Sequence, residues 1–175
     1  CRDQQLTVFP DGMQTGRMMT NAGHSRICGV EVEGLHRWNS VALQASYGYT
    51  HAVFADYPDG NENYRDKYIP YVPQHTLMAG ADWHVPLRDE RMALVLHADV
   101  RGVGPLYWDE RNEAEQGFYA LRNASARFSY DAYSLTLWGR NLTDTQYSTF
   151  YFVSMKNRFL QHGKPLQWGA TLSWN

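Results

Sequence analysis

Apolar residues recur at every second position along most of this chain, which is the period of a strand and not of a helix. From Val41 to Val53 the odd positions carry Val41, Leu43, Ala45, Tyr47, Tyr49 and Val53, against Ala42, Gln44, Ser46, Gly48 and Thr50. The same split sets Leu77, Ala79, Ala81, Trp83 and Val85 against Thr76, Gly80, Asp82 and His84, and Met92, Leu94, Leu96, Ala98 and Val100 against Val95, His97, Asp99 and Arg101. Phe118 to Tyr130 alternates less cleanly, because Arg122 falls in register with Ala124, Ala126 and Phe128. A long cation there is expected near a rim, where it can snorkel to water. The pattern predicts strands over residues 2–9, 14–36, 41–55, 73–85, 91–104, 117–130, 133–143 and 165–174. The expected fold class is all-β, an antiparallel meander of about eight strands across 1–175.

The connections alternate in length. Residues 37–40, 86–90 and 131–132 read as tight turns, whereas 57–70, 105–116 and 144–164 are long, polar and aromatic. Short turns on one side and long loops on the other are the asymmetry of an outer-membrane barrel.

Composition sharpens this. With 16 basic and 18 acidic residues there is no polycationic footprint, so nucleic acid is not an expected partner. No run of about 18 apolar residues marks a transmembrane helix, but a barrel strand needs only alternate apolar positions. The predicted polar face holds Glu31, Glu33, Gln44, Ser46, Thr50, Asp82, His84, His97, Asp99, Arg101, Asn123, Ser125, Arg127, Arg140 and Thr171, with no Lys. That resembles a hydrated lumen wall more than the Lys- and Glu-rich surface of a soluble sandwich. Trp83, Tyr130, Trp168 and Trp174 then fall where girdle residues meet lipid headgroups. Ion pairs from Glu31 and Glu33 to Arg101, Arg127 or Arg140 are expected to brace the wall. Ser46, His97 and Asp99 occur on it without a nucleophile elbow, and the seven His have no ligand spacing, so neither an enzyme nor a metal or cofactor site is expected. Cys1 and Cys28, the two cysteines, lie nearly opposite one another if the first two strands pair; a bridge and two separate thiols are both open readings. Cys1 also admits a lipidated terminus, although a cut through a longer chain explains it more simply.

Several motifs resemble TonB-dependent outer-membrane receptors. Thr20-Asn-Ala-Gly-His-Ser-Arg-Ile-Cys-Gly-Val-Glu-Val-Glu-Gly34 is similar to a return strand of that family. Gly139-Arg-Asn-Leu-Thr-Asp-Thr-Gln-Tyr147, with the terminus Leu166 to Asn175, is similar to its closing hairpin. Tyr47 to Thr50 and Pro70 to Thr76 follow the same pattern in order. The resemblance implies the carboxy-terminal part of a large transmembrane β-barrel, about 22-stranded when whole. Nothing in the chain resembles the family's amino-terminal plug or energy-coupling box. The implied function is uptake of a scarce nutrient, most often an iron complex such as a ferric siderophore. The implied partners are outer-membrane lipid, the small-molecule ligand and a TonB-type energy-coupling protein reached through the part not present here; the implied location is the bacterial outer membrane. Ligand contacts are then expected on the long loops, at Tyr107, Trp108, Tyr147, Phe150, Tyr151 and Phe152, because rigid aromatics suit flat or aryl ligands. A second reading is a stand-alone, closed eight-stranded barrel that binds a small ligand with its aliphatic face turned inward.

Overall fold

The computed structural model describes residues 2–8, 18–59, 62–154 and 157–174. Its body is one antiparallel sheet of eight strands: β1 (Arg2–Val8), β2 (Met18–Trp38), β3 (Val41–Asp56), β6 (His75–Val85), β7 (Met92–Val103), β10 (Tyr119–Tyr130), β11 (Tyr133–Arg140) and β14 (Gln167–Trp174). Each strand pairs with its neighbour along this series, as a meander requires. Among the described residues β1 pairs only with β2 and β14 only with β11. The eight strands therefore form an open arc with two free edges, not the closed small barrel of the second reading.

The expected strands all appear; residue 9 of the first and residues 14–17 of the second lie outside the described residues, and other ends are shifted by local chemistry. β11 stops at Arg140 rather than 143, because Asn141 takes a left-handed φ of 50° that ends the ladder. The turn after β2 shrinks from four residues to two and the turn after β10 has the two residues expected, with Asn39 (φ 49°) and Asp131 (φ 47°) supplying the left-handed conformation that tight hairpins need. The three long, polar and aromatic loops are not irregular throughout. They carry small hairpins of their own: β4 (Pro58–Asp59) with β5 (Glu62–Asn63), β8 (Leu106–Tyr107) with β9 (Glu115–Gln116), and β12 (Ser148–Ser154) with β13 (Asn157–His162). The last is the longest, and its run Thr149-Phe-Tyr-Phe-Val153 has the aromatic and β-branched content of a strand. Cys1 lies outside the described residues, and with it the question of its pairing; Cys28 is an exposed thiol whose backbone partner on β3 is His51.

Ladder register places the two faces. Glu31 lies opposite Gly48, Gly48 opposite Thr76 and Thr76 opposite Val103, so one set of side chains shares a face from β2 to β7. The other face is apolar and bare: Val30, Val32, Trp38, Leu43, Leu135, Leu137, Leu172 and Trp174 are all exposed large hydrophobics. Among the described residues nothing packs across that face. The buried core lies elsewhere, at the long-loop end, where Ala52, Phe54, Tyr57, Tyr64 and Ile69 cluster with Val72 against them. Phe54 is 0% exposed there. Residues 57–59 and 62–72 thus fold back on the end of β3, with Phe54 N–H donating to the Lys67 carbonyl and Ile69 N–H to that of Ala52.

Candidate ligand site and polar wall

The loop hairpins are tied together by backbone and side-chain bonds. Tyr71 N–H donates to the Tyr107 carbonyl at 2.8 Å and Gln74 N–H to that of Pro105 at 2.9 Å. Asn112, held at φ 57°, accepts from Tyr68 N–H at 2.7 Å and donates to the Tyr68 carbonyl at 2.9 Å, so its amide copies a strand partner. Ser148 N–H donates to Gln116 Oε1 at 2.9 Å, joining the third loop to the second.

On this frame the aromatic rings form a chain. Trp108 meets Tyr71 edge-on at 5.5 Å, Tyr71 stacks with Phe150 at 6.3 Å, Phe150 tilts against Phe152 at 5.6 Å, and Phe152 stacks on Phe159 at 4.8 Å. The Tyr71 hydroxyl donates to the Tyr151 carbonyl at 3.4 Å. A second branch stacks Tyr107 on Tyr68 at 5.5 Å, with His51 edge-on to Tyr68. Burial, with the Glu115 charge adding to it, pushes the Tyr107 phenol above its ordinary value. Tyr107, Trp108, Phe150, Tyr151 and Phe152 therefore do come together. Tyr147 stands apart, stacked on Tyr119 at 4.6 Å and lying over Gly163. The hub is Tyr71, which sequence reasoning missed. It is half exposed and holds φ 63°, an uncommon conformation for a bulky residue. The one available signal was its place between two prolines, Pro70 and Pro73, in a segment already singled out.

The polar wall is more ordered than its sequence suggests. Asp82, His97, Asp99, Arg101, Arg127 and Arg140 share the face of Glu31 and Glu33, as the register requires. His97 lies between two carboxylates, Nδ1 to Asp82 Oδ1 at 2.7 Å and Nε2 to Asp99 Oδ1 at 3.2 Å. Asn123 donates to Asp99 Oδ2 at 2.8 Å, and its Oδ1 accepts from Asn141 N–H at 3.1 Å. A hydrogen-bonded line thus crosses three strands, β6, β7 and β10, and reaches Asn141 just past the end of β11. Arg101 Nε sits 3.7 Å from Asp99 Oδ2, Arg127 donates to Thr136 Oγ1 at 3.3 Å, and Arg140 lies over the Trp138 ring at 5.3 Å. Trp138 itself covers Gly169, where a Cβ would meet the indole at 2.6 Å.

The expected pairs from Glu31 and Glu33 to these arginines do not form among the described residues. Glu33 and Arg101 stand level in the register but three strands apart, about 14 Å at the usual strand spacing, beyond any ion pair. Glu33 instead lines, with Gln44, Ser46 and Met78, an open cavity of about 480 Å³. Ser46 lies two strands from His97 and in a different row, so Ser46, His97 and Asp99 do not converge. Among the described residues no group of three or more His, Cys, Asp or Glu side chains is placed to hold a metal ion.

The motif from Gly139 to Tyr147 is a clamp. Asn141 is 4% exposed; its Oδ1 accepts from Thr145 N–H at 2.8 Å, and its Nδ2 donates to the carbonyls of Thr145 and Lys164, each at 3.0 Å. Asp144 Oδ1 accepts from Leu166 N–H at 2.9 Å, just before β14 begins. Leu142 N–H donates to the Arg122 carbonyl at 2.8 Å, and the Leu142 side chain lies over Gly139, where a Cβ would be 2.5 Å from it. The motif locks the ends of β10, β11 and β14.

Comparison with known proteins agrees with this architecture. Residues 2–142 match the family model described as "TonB dependent receptor-like, beta-barrel". The chain is 27% identical over 154 residues to the pesticin receptor of Yersinia enterocolitica, and equally to that of Yersinia pestis; each match covers 87% of this chain. It spans only 22% of the length of those relatives. The ferric yersiniabactin uptake receptor of Yersinia pestis superposes with a TM-score of 0.81 at 23% identity, over 99% of this chain and 25% of that one. The ferric preacinetobactin receptor of Acinetobacter baumannii superposes at 0.70 with 17% identity, over 98% and 25% respectively. An open eight-strand arc, apolar on one face and matched in sequence over most of its length, belongs to the β-barrel family of TonB-dependent receptors, whose members are outer-membrane barrels.

Proposed function

We propose that this chain is the carboxy-terminal arc of the barrel of a bacterial outer-membrane receptor that imports an iron–siderophore complex, driven by a TonB-type energy-coupling protein. The long loops then face the cell exterior and the short turns the periplasm. The apolar face meets lipid and the polar face lines the lumen. The carrying observation is the aromatic chain at the long-loop end, where Trp108, Tyr71, Phe150 and Phe152 from three separate loops meet. Rigid rings presented together offer stacking area at little cost in side-chain entropy, which suits a ligand with aryl groups. Membership of a family that includes receptors for a ferric siderophore supports the same reading.

The test uses the full-length protein. Deleting its gene in the host bacterium is expected to abolish iron-starved growth on one ferric siderophore of a panel, and dissipating the proton-motive force is expected to stop labelled uptake. Complementation with Tyr71→Ala or Trp108→Ala should restore normal outer-membrane levels while weakening ligand affinity about tenfold, the loss of one good aromatic contact of about 1.4 kcal/mol. Wild-type uptake of the whole panel by the deletion strain would overturn the proposal.

A further inference from the structure

We propose that Arg122 binds the phosphate-bearing headgroup of an acidic lipid at the long-loop end of the apolar face, which also carries Phe118, Leu142 and Trp168. Among the described residues of β3, β6, β7, β10, β11 and β14, Arg122 is the one Lys, Arg, Asp or Glu in register with that face. It shares a column with Ala120, Ala124 and Ala126 and lies opposite Val100. A lone cation on such a face is costly at the bilayer midplane and nearly free at the interface. Its height is set by the strand-end clamp, since Leu142 N–H donates to its own carbonyl.

The guanidinium is aimed, not loose. Thr145 Oγ1 donates to the Ala120 carbonyl at 3.1 Å, so the Thr143 hydroxyl gives its proton to Thr145 at 2.9 Å and accepts from Arg122 Nη1 at 3.4 Å. That occupies one of the five guanidinium N–H groups, and among the described residues no carboxylate lies within ion-pair distance. A planar donor fork without a protein anion matches the paired oxygens of a phosphate. Three apolar side chains lie at the same end of the face. Phe118 lies over Gly102, where a Cβ would be 2.5 Å from the ring; Leu142 lies over Gly139; and Trp168, 82% exposed, stands opposite Gly139 on β14. Exposed indole and phenyl rings beside a cation suit the boundary between acyl chains and headgroups. The row leading away from Arg122 is Val100, Ala79, Ala45 and Gly34, which leaves low relief for an acyl chain.

The inference rests on the reading of the apolar face as lipid-facing, and the experiment separates the two. Full-length protein is placed in nanodiscs of phosphatidylcholine mixed with either phosphatidylglycerol or a lipid A bearing phosphates, and retained lipids are identified by native mass spectrometry. Wild type is expected to retain the anionic lipid about fivefold over the neutral one, the worth of about one basic residue at a membrane surface. Arg122→Gln should erase the preference and Arg122→Lys should keep part of it. Thr143→Val, which leaves the cation in place, gives a second variant should Arg122→Gln not assemble; it is expected to keep the sign of the preference and weaken it. Quenching of tryptophan fluorescence by brominated acyl chains reports lipid contact irrespective of headgroup. Absence of quenching would sink the lipid-facing reading itself. Quenching with the same headgroup preference in wild type and Arg122→Gln, or with none in either, would overturn the Arg122 site alone.

Discussion

Asn141 shows most clearly what one residue does in this fold. Its amide makes three hydrogen bonds from a buried position, and its left-handed φ is one that asparagine tolerates better than most residues. Asn141→Ala is expected to destabilise the full-length barrel by about 3 kcal/mol, through the orphaned Thr145 N–H and Lys164 carbonyl together with backbone strain. Asn141→Gly should recover only the backbone part. The measurement is the temperature at which the folded band is lost in unboiled electrophoresis. That Asn141 and Asp144 turn the strand end was legible in their residue types; their partners, Asn123, Lys164 and Leu166, were not, because those are long-range contacts. Tyr64 makes a second residue-scale prediction. Burial raises its phenol above the ordinary value, the Arg111 hydrogen bond pulls the other way, and Glu62 raises it again. A raised folded-state value means that stability from the neutral phenol is whole below about pH 10 and is lost as pH rises through the folded value. Phenolate absorbance of Tyr64→Phe against wild type between pH 9 and 12 should show one phenol fewer among the late-titrating group.

At the scale of elements, the strands were legible because a period of two needs no knowledge of partners, and turn signals bounded each run. The hairpins within the loops were not. β4, β5, β8 and β9 are two residues long, too short to show alternation; β4 and β5 adjoin the loop core around Phe54, and the β8–β9 loop is tied to that segment by the Tyr71–Tyr107 and Tyr68–Asn112 hydrogen bonds. Phe54→Ala is expected to cost about 3–5 kcal/mol locally. Because that core sits at the long-loop end, hydrogen exchange should rise across 57–72 and 105–116 while β10, β11 and β14 stay protected. Equal loss of protection throughout would mean that the loop core and the sheet unfold as one unit.

At the scale of the whole molecule, the two faces carry the functional meaning. Leu137 is 54% exposed on the apolar face, and Thr136 is its neighbour on the polar one. Leu137→Lys is expected to cost about 2–4 kcal/mol in a bilayer, whereas Thr136→Lys should cost about 1 kcal/mol or less. The refolding equilibrium of the full-length protein in lipid vesicles measures both, and the reverse order would invert the assignment of the faces. The alternation of side chains along each strand, the eight-strand meander and the contents of each face all followed from sequence, because strand geometry converts residue parity directly into facing. The resemblance of the closing motif also pointed to the family before any coordinates. Tertiary structure alone decided between the open arc and the closed small barrel, and showed that Glu31 and Glu33 stand too far from the arginines to pair and that Tyr71 gathers the loop aromatics. Those outcomes depend on which strands are neighbours and how distant segments meet, and local periodicity carries no record of either.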